Sequence, residues 1–157
     1  MADAYDLILK GATVVNQDGT GVRDIAVSNG RIAAISTAAE PVTGNVPDVI
    51  DCSGLHILPG VIDSPVHFRE PGLTHKEDLE SGSRAAVAGG VTVVFVMPNT
   101  HPRTTTREAL ADMVAAARGR MFCVFAFYFG ETRENIDEIP TLERLEASAG
   151  MKVFMGS

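Results

Sequence analysis

The sequence predicts an α/β protein in which a small β unit, expected to be part of a β-sandwich, precedes the first half of a (β/α)8 TIM-type barrel. Three observations predict this fold. Residues 1–55 are short strand patterns separated by turns, residues 56–157 alternate between strand and helix patterns, and the later strands are continuous apolar runs. Alternating units with such strands are typical of a parallel sheet. We therefore expect two domains, residues 1–55 and residues 56–157.

The β unit is predicted from its turns. Asn29-Gly30 between two apolar runs is a strong hairpin signal, because both residue types tolerate positive φ. Gln17-Asp18-Gly19 predicts a second turn, and residues 37–48, with two prolines and a glycine, predict a loop. The strand patterns of this unit are residues 7–9, 12–15, 25–27, 31–35 and 49–52.

The second unit contains four strand patterns and three helix patterns. A complete barrel needs about 250 residues, so this unit holds roughly half of one. The chain stops at Gly156-Ser157 with no helix after the last strand, which indicates truncation; a small flavodoxin-like sheet is the alternative. The predicted strands are residues 57–68, 91–97, 121–129 and 151–155, and the predicted helices are residues 78–88, 105–117 and 141–148.

Composition excludes several classes of function. The net charge of -7 and the pI of about 5.0 argue against a dedicated nucleic-acid binder. The acidic N-terminus is unlike a signal peptide, and no apolar run approaches the roughly 18 residues of a membrane span. Cys52 and Cys123 lie far apart and are predicted to be buried free thiols. We expect a soluble cytoplasmic protein without a membrane partner.

Polar residues follow two of the predicted barrel strands. His67 and Arg69 end the first strand, and Asn99 and Thr100 end the second. In parallel α/β folds the functional groups lie at these carboxyl ends. Lys152 is the exception, because it is predicted to lie within its strand.

The segment from Pro59 to Gly72 resembles the signature of the amidohydrolase superfamily, and specifically that of dihydroorotases. The family pattern is an Asp, a variable residue, a His, an apolar residue and a second His. Alternation along a strand places both His side chains on one face, where they bind one metal ion. The second His is present as His67, but Pro65, which has no ligand atom, replaces the first. The resemblance therefore implies a zinc site with His67 as a ligand, and an incomplete one.

Two further residues resemble the substrate site of dihydroorotases. There the Arg of Arg69-Glu70-Pro71-Gly72 binds the substrate carboxylate, which suits a planar guanidinium. The Asn of Met97-Pro98-Asn99-Thr100 assists it. Related allantoinases tend to have Asn in place of Arg69. The resemblance thus implies that Arg69 and Asn99 bind substrate.

The segment from Gly150 to Gly156 contains Lys152. In dihydropyrimidinases, allantoinases and some dihydroorotases, a Lys so placed is carboxylated and bridges two metal ions, whereas other dihydroorotases use Asp. The resemblance implies that Lys152 is a metal ligand. The alternative is a Lys that faces solvent from an edge strand.

The resemblance covers nearly the whole chain and implies a zinc hydrolase of pyrimidine biosynthesis that interconverts dihydroorotate and N-carbamoylaspartate. In the family the proton-shuttling Asp and two more His ligands follow later strands. We therefore expect no catalytic residue in this chain and no activity of the chain alone. We also expect a homo-oligomer.

Two other functions remain open. Pro65 favours a non-catalytic dihydroorotase homologue that serves as a structural partner, for instance of aspartate transcarbamoylase. A related cyclic-amide hydrolase, such as an allantoinase or a dihydropyrimidinase, is the other possibility, and Arg69 argues against it.

Overall fold

The computed structural model describes residues 5–36, 40–43 and 46–155. The chain divides into two compact units, Met1–Pro59 and Gly60–Ser157. The predicted loop 37–48 falls partly outside the described residues, and the chain end at Gly156-Ser157 falls outside them entirely. The assignment of residues 1–55 and 56–157 to two domains stays a prediction.

The first unit contains five strands, β1 Leu7–Asn16, β2 Gly19–Ser28, β3 Arg31–Ile35, β4 Asp48–Asp51 and β5 His56–Ile57. They form a mixed sheet with the order β3-β2-β1-β4, in which β5 also pairs with β1. The strand β2 is antiparallel to both β1 and β3, whereas β4 and β5 run parallel to β1. The buried core of this unit is Ala12, Val14, Ile25 and Cys52.

The turns of this unit follow the local sequence. Asn29 and Gly30 have φ of 52° and 70° and join β2 to β3, which confirms the predicted hairpin. The prediction of separate strands at 7–9 and 12–15 was wrong. They form the single strand β1, whose pairing with β2 is irregular between Leu9 and Ala12, where Gly11 adopts a φ of 71°.

The second unit contains the strands β6 Val61–Val66, β7 Val91–Val96, β8 Val124–Gly130 and β9 Ser148–Lys152, and the helices α1 Leu79–Ala88, α2 Arg107–Ala117 and α3 Ile139–Leu142. The strands form a parallel sheet with the order β6-β7-β8-β9, which confirms the predicted β/α succession. A 3₁₀ turn, Ile136–Glu138, precedes α3.

The core of this unit lies between the sheet and its helices. Val94, Val96, Phe127 and Phe129 alternate along β7 and β8 and are almost fully buried. The opposite face of the sheet is only partly covered by the described residues. There Phe95 and Tyr128 pack edge to face, with ring centroids 6.2 Å apart. The helices contribute Leu79, Leu110, Met113, Ala117 and Leu142 to the core.

Both long helices begin at residues that cap them. The Asp78 carboxylate accepts a hydrogen bond from the Ser81 backbone N–H (2.7 Å), and the Asp78 N–H donates to the Ser81 hydroxyl. The Thr106 hydroxyl accepts from the Ala109 N–H (3.1 Å). The predicted helices 78–88 and 105–117 are thereby confirmed to within two residues.

The structure corrects the predictions for residues 141–155. The helix expected at 141–148 ends at Leu142, and the strand expected at 151–155 is β9, which begins at Ser148. The Phe127 N–H donates to the Ala147 carbonyl oxygen (2.8 Å), so the chain already pairs with β8 there. Because Ser148, Ala149 and Gly150 are small, this part of the strand has no apolar pattern. Lys152 therefore ends its strand rather than lying within it.

Both cysteines are free thiols, and Cys52 is buried whereas Cys123 is half-buried. Among the helices that the structure describes, none is long and apolar enough to cross a membrane.

Asp78→Ala is expected to lower the free energy of unfolding, because the first turn of α1 loses its cap. Thermal unfolding followed by circular dichroism measures the change. Asp112→Ala, at an exposed position within α2, is the control and is expected not to lower stability, because alanine favours a helix interior more than aspartate does. Equal losses in the two variants would contradict the capping role.

Candidate functional site

The residues singled out by sequence lie at one edge of the parallel sheet. His67 and Arg69 follow the end of β6 at Val66, Asn99 follows the end of β7, and Lys152 ends β9. Because the strands are parallel, their carboxyl ends share this edge. The Met97 N–H donates to the Val66 carbonyl oxygen (2.9 Å), which joins the two segments that carry His67 and Asn99.

His67 and Asn99 are hydrogen-bonded. The Nδ1 atom of His67 lies 2.9 Å from the Oδ1 atom of Asn99. Since an amide oxygen only accepts, Nδ1 is the donor in this contact, and in the neutral form of the ring Nε2 then carries the lone pair. A hydrogen bond of this kind orients an imidazole that binds a metal ion through its other nitrogen. Sequence reasoning placed both residues at the site but missed their contact.

Arg69 is exposed, and its guanidinium forms no hydrogen bond or ion pair with the described residues. It is therefore available to an anionic ligand. The structure pairs Asn99 with His67, not with Arg69. The substrate-binding roles of Arg69 and Asn99 stay predictions.

Lys152 and His67 lie at the ends of strands that are not neighbours. The strands β7 and β8 lie between β6 and β9 in the sheet. The Lys152 ammonium lies 5.3 Å from the centroid of the Phe154 ring, a cation–π contact. The predicted role of Lys152 as a metal ligand is not tested by this contact.

The described residues do not fit a zinc centre. A catalytic zinc ion takes three protein ligands, and the described ranges hold no group of three or more His, Cys, Asp or Glu side chains placed to bind a metal ion. Pro65 offers no donor, and the pairing of β6 with β7 is irregular between Asp63 and Val66 around it. His67 Nε2 is the imidazole donor that follows β6 at this edge.

The loop after β6 alternates between outward and inward side chains. His67 and Arg69 are exposed, whereas Phe68 is buried and Glu70 is half-buried. Phe68 packs on α1 at Gly82, where an added Cβ would come within 2.8 Å of the ring. We call residues 67–72 the binding loop.

Glu70 holds the binding loop to two other segments. Its carboxylate accepts two hydrogen bonds from the Arg120 guanidinium (2.8 and 2.9 Å) and one from the Leu79 backbone N–H (2.9 Å). The Arg120 guanidinium lowers the pKa of Glu70 from its usual range, and Glu70 raises that of Arg120. Sequence reasoning missed this pair because its members are 50 positions apart.

The next loop supports the other end of the binding loop. The His101 N–H donates to the Pro71 carbonyl oxygen (3.2 Å). Gly72 has a φ of +105°, and an added Cβ there would lie 2.6 Å from the His101 Cβ. Only glycine fits this close approach.

A cavity of about 200 Å³ adjoins Asn99 at the same edge. Arg103, Glu131 and Phe154 also line it. The buried Asn135 amide donates to the carbonyl oxygens of Thr105 (2.8 Å) and Gly130 (2.9 Å). These two hydrogen bonds join two of the segments that line the cavity. A second cavity of about 340 Å³ lies along α2 and is lined by none of the predicted site residues.

Comparison with known proteins shows which family the chain is similar to. Residues 54–150 match the family model described as dihydro-orotase-like. The chain is 37% identical to an allantoinase of Escherichia coli O1:K1 over 155 residues. These residues are 33% of the relative and 98% of this chain. It is 40% identical over 155 residues to an allantoinase of Rubrobacter xylanophilus, with the same coverage. The chain thus spans about a third of the length of these curated relatives.

Solved structures give the same result. The chain superposes on L-hydantoinase (dihydropyrimidinase) from Arthrobacter aurescens with a TM-score of 0.84 and 33% identity, covering 94% of this chain and 32% of that one. D-hydantoinase from Bacillus sp. AR9 gives a TM-score of 0.77 and 26% identity, covering 95% of this chain and 33% of that one. The predicted fold class is confirmed, and the chain is homologous to cyclic amidohydrolases. These relatives are allantoinases and hydantoinases, so the expected likeness to dihydroorotases holds at the level of the family.

Glu70 is expected to make stability depend on pH. Its pKa in the folded chain is lowered, so its contribution is present above the unfolded pKa of about 4.5 and is lost as pH falls through the folded pKa. The difference in unfolding free energy between the unchanged chain and Glu70→Gln should therefore be larger at pH 7 than at pH 3. Urea unfolding at both values measures it. A difference independent of pH would contradict the charged contact.

Zinc binding is expected to respond to Pro65. The unchanged chain should retain no stoichiometric zinc after dialysis, because three ligands are needed. Pro65→His should raise zinc affinity by adding a second imidazole near His67, whereas Pro65→Ala, which removes only the proline, should not. Metal analysis and competition with a chelating dye measure both. Tightly held zinc in the unchanged chain would contradict this prediction.

Proposed function

This chain belongs to the dihydro-orotase-like family, and from that membership we propose that it contributes part of the active site of a cyclic-amide hydrolase. The observation that carries the proposal is the His67–Asn99 hydrogen bond at the carboxyl ends of β6 and β7. Arg69, two positions after His67, is exposed and has no ion pair with the described residues. Polar side chains gathered at this edge of a parallel sheet are typical of a substrate site.

Each of these residues has a defined task in the proposal. Asn99 orients the His67 ring, so that Nε2 faces the ligand side as an acceptor or a metal donor. Arg69 supplies a rigid fork of N–H donors to a carbonyl or carboxylate oxygen of the substrate. Because the described residues do not fit a zinc centre, we assign them no metal-dependent step.

We propose a neutral cyclic ureide of the allantoin or hydantoin class as the substrate. The allantoinases and the hydantoinases that resemble this chain support this class. Dihydroorotate is the second candidate. The exposed Arg69 favours it, because a guanidinium that forms no ion pair with the described residues suits a ring that bears a carboxylate.

Ring opening by the complete natural protein that contains this chain decides between these substrates. We expect kcat/KM for allantoin or hydantoin to exceed that for dihydroorotate. The reverse order would establish dihydroorotate as the substrate. A failure to open any of the three rings would support the non-catalytic homologue, and cosedimentation with aspartate transcarbamoylase would then test the proposed structural partnership.

Arg69→Ala distinguishes the two substrates by charge. If the ring bears a carboxylate, KM should rise by the equivalent of roughly 2–5 kcal/mol, because the substrate carboxylate, which loses water on binding, loses its charged partner. For a neutral ureide the loss should be that of one ordinary hydrogen bond, about 0.5–1.5 kcal/mol. Arg69→Lys, which keeps the charge but not the fork, should lie between. Arg84→Gln, at an exposed ion pair on α1, is the control.

A further inference from the structure

We propose that Glu70 and Arg120 act as a positioning pair that holds Arg69 and His67 in their binding geometry. Neither residue needs to touch the substrate for this role. The inference rests on the proposed function, because it concerns the same site. It gives a role to Glu70, which the motif Arg69-Glu70-Pro71-Gly72 contains, and adds Arg120, which no sequence motif indicates.

The contact is directional and half-buried. The Nη1 and Nη2 atoms of Arg120 donate to Oε1 and Oε2 of Glu70, and Oε2 also accepts the Leu79 N–H. The side chains are 16% exposed for Glu70 and 35% exposed for Arg120. By contrast, Arg118 and Glu146, which form an ion pair with one bond of 2.6 Å, are 62% and 79% exposed. The bidentate geometry leaves Glu70 little rotational freedom.

Glu70 is adjacent to Arg69, so this restraint acts directly on the binding loop. Two side chains of the loop point inward: Phe68 packs on α1 at Gly82, and Glu70 accepts the Leu79 N–H at the start of α1. The side chains of His67 and Arg69 are exposed. The Leu73 N–H donates to the Arg69 carbonyl oxygen (2.8 Å), which closes the turn. The two outward side chains are thus held by the two inward ones.

Arg120 anchors the restraint to a distant part of the unit. It lies in the turn between α2 and β8, and its guanidinium also donates to the Ala116 carbonyl oxygen (3.2 Å). A half-buried ion pair adds little net stability over an apolar contact, because both charges lose water. What the pair provides is a fixed orientation, which an apolar contact at Glu70 would not give.

The test uses the complete natural protein with Glu70→Gln, Arg120→Gln and both changes together. Amide hydrogen exchange of peptides that cover residues 66–72 should become faster in all three. On the substrate that the protein opens, KM should rise by no more than Arg69→Ala raises it, which for a neutral ureide is about 2- to 10-fold, with a smaller change in kcat. The double variant should be no worse than the worse single variant, because each residue acts through the other.

A purely structural role gives a different result. Partial unfolding lowers the amount of active enzyme, so kcat would fall while KM stayed the same, and exchange would rise throughout the unit. Either outcome would overturn the proposal, as would additive losses in the double variant. Arg118→Gln, which removes the exposed pair two residues from Arg120, is the matched control and should leave loop exchange and KM unchanged.

The exchange measurement separates this proposal from the proposed function. If the unchanged protein opens none of the rings, the proposed hydrolase activity fails. Faster exchange confined to the binding loop in the Glu70 and Arg120 variants would still support the positioning pair. Unchanged exchange there would overturn it, whatever the activity.

Discussion

The hydrogen bond from the Met97 N–H to the Val66 carbonyl oxygen is the interaction on which the candidate site depends. The register of β6 against β7 shifts between Val61 and Ile62 and again between Asp63 and Val66, and this bond closes the ladder at the last residue of β6. It therefore sets where both chains leave the sheet. His67 and Asn99 each lie within two residues of this bond, so their 2.9 Å contact is a direct consequence of it.

Local chemistry explains which parts of the fold could be predicted from the sequence. The hairpin at Asn29-Gly30 follows from two residue types that tolerate positive φ, and the start of α1 follows from the Asp78 cap. The strand β9 could not be predicted correctly, because Ser148 and Gly150 join it through backbone pairing with β8 and carry no apolar pattern. Its placement depends on a partner strand and not on its own side chains.

The same division holds within the site. The positions of His67 and Asn99 at strand ends were predictable, since each follows an apolar run. Their contact, and that of Glu70 with Arg120, join residues 32 and 50 positions apart, and no periodicity in the sequence reports such pairs. The substrate class is predicted even less directly by the sequence. The motif around Arg69 resembles dihydroorotases, whereas curated relatives that are similar over nearly the whole chain are allantoinases.

The strand β6 forms although Pro65 stands where a metal-binding His is expected. A proline within a regular ladder would remove a hydrogen bond, but Pro65 lies where the register of β6 against β7 already shifts. The sheet re-forms at Val66 without it, and the binding loop keeps its contacts to α1 and to Arg120. Pro65 therefore lacks the donor atom of the expected His, while the His67–Asn99 contact forms two positions further along the chain. The contacts that position the binding loop come from Glu70, Phe68 and the strand ends.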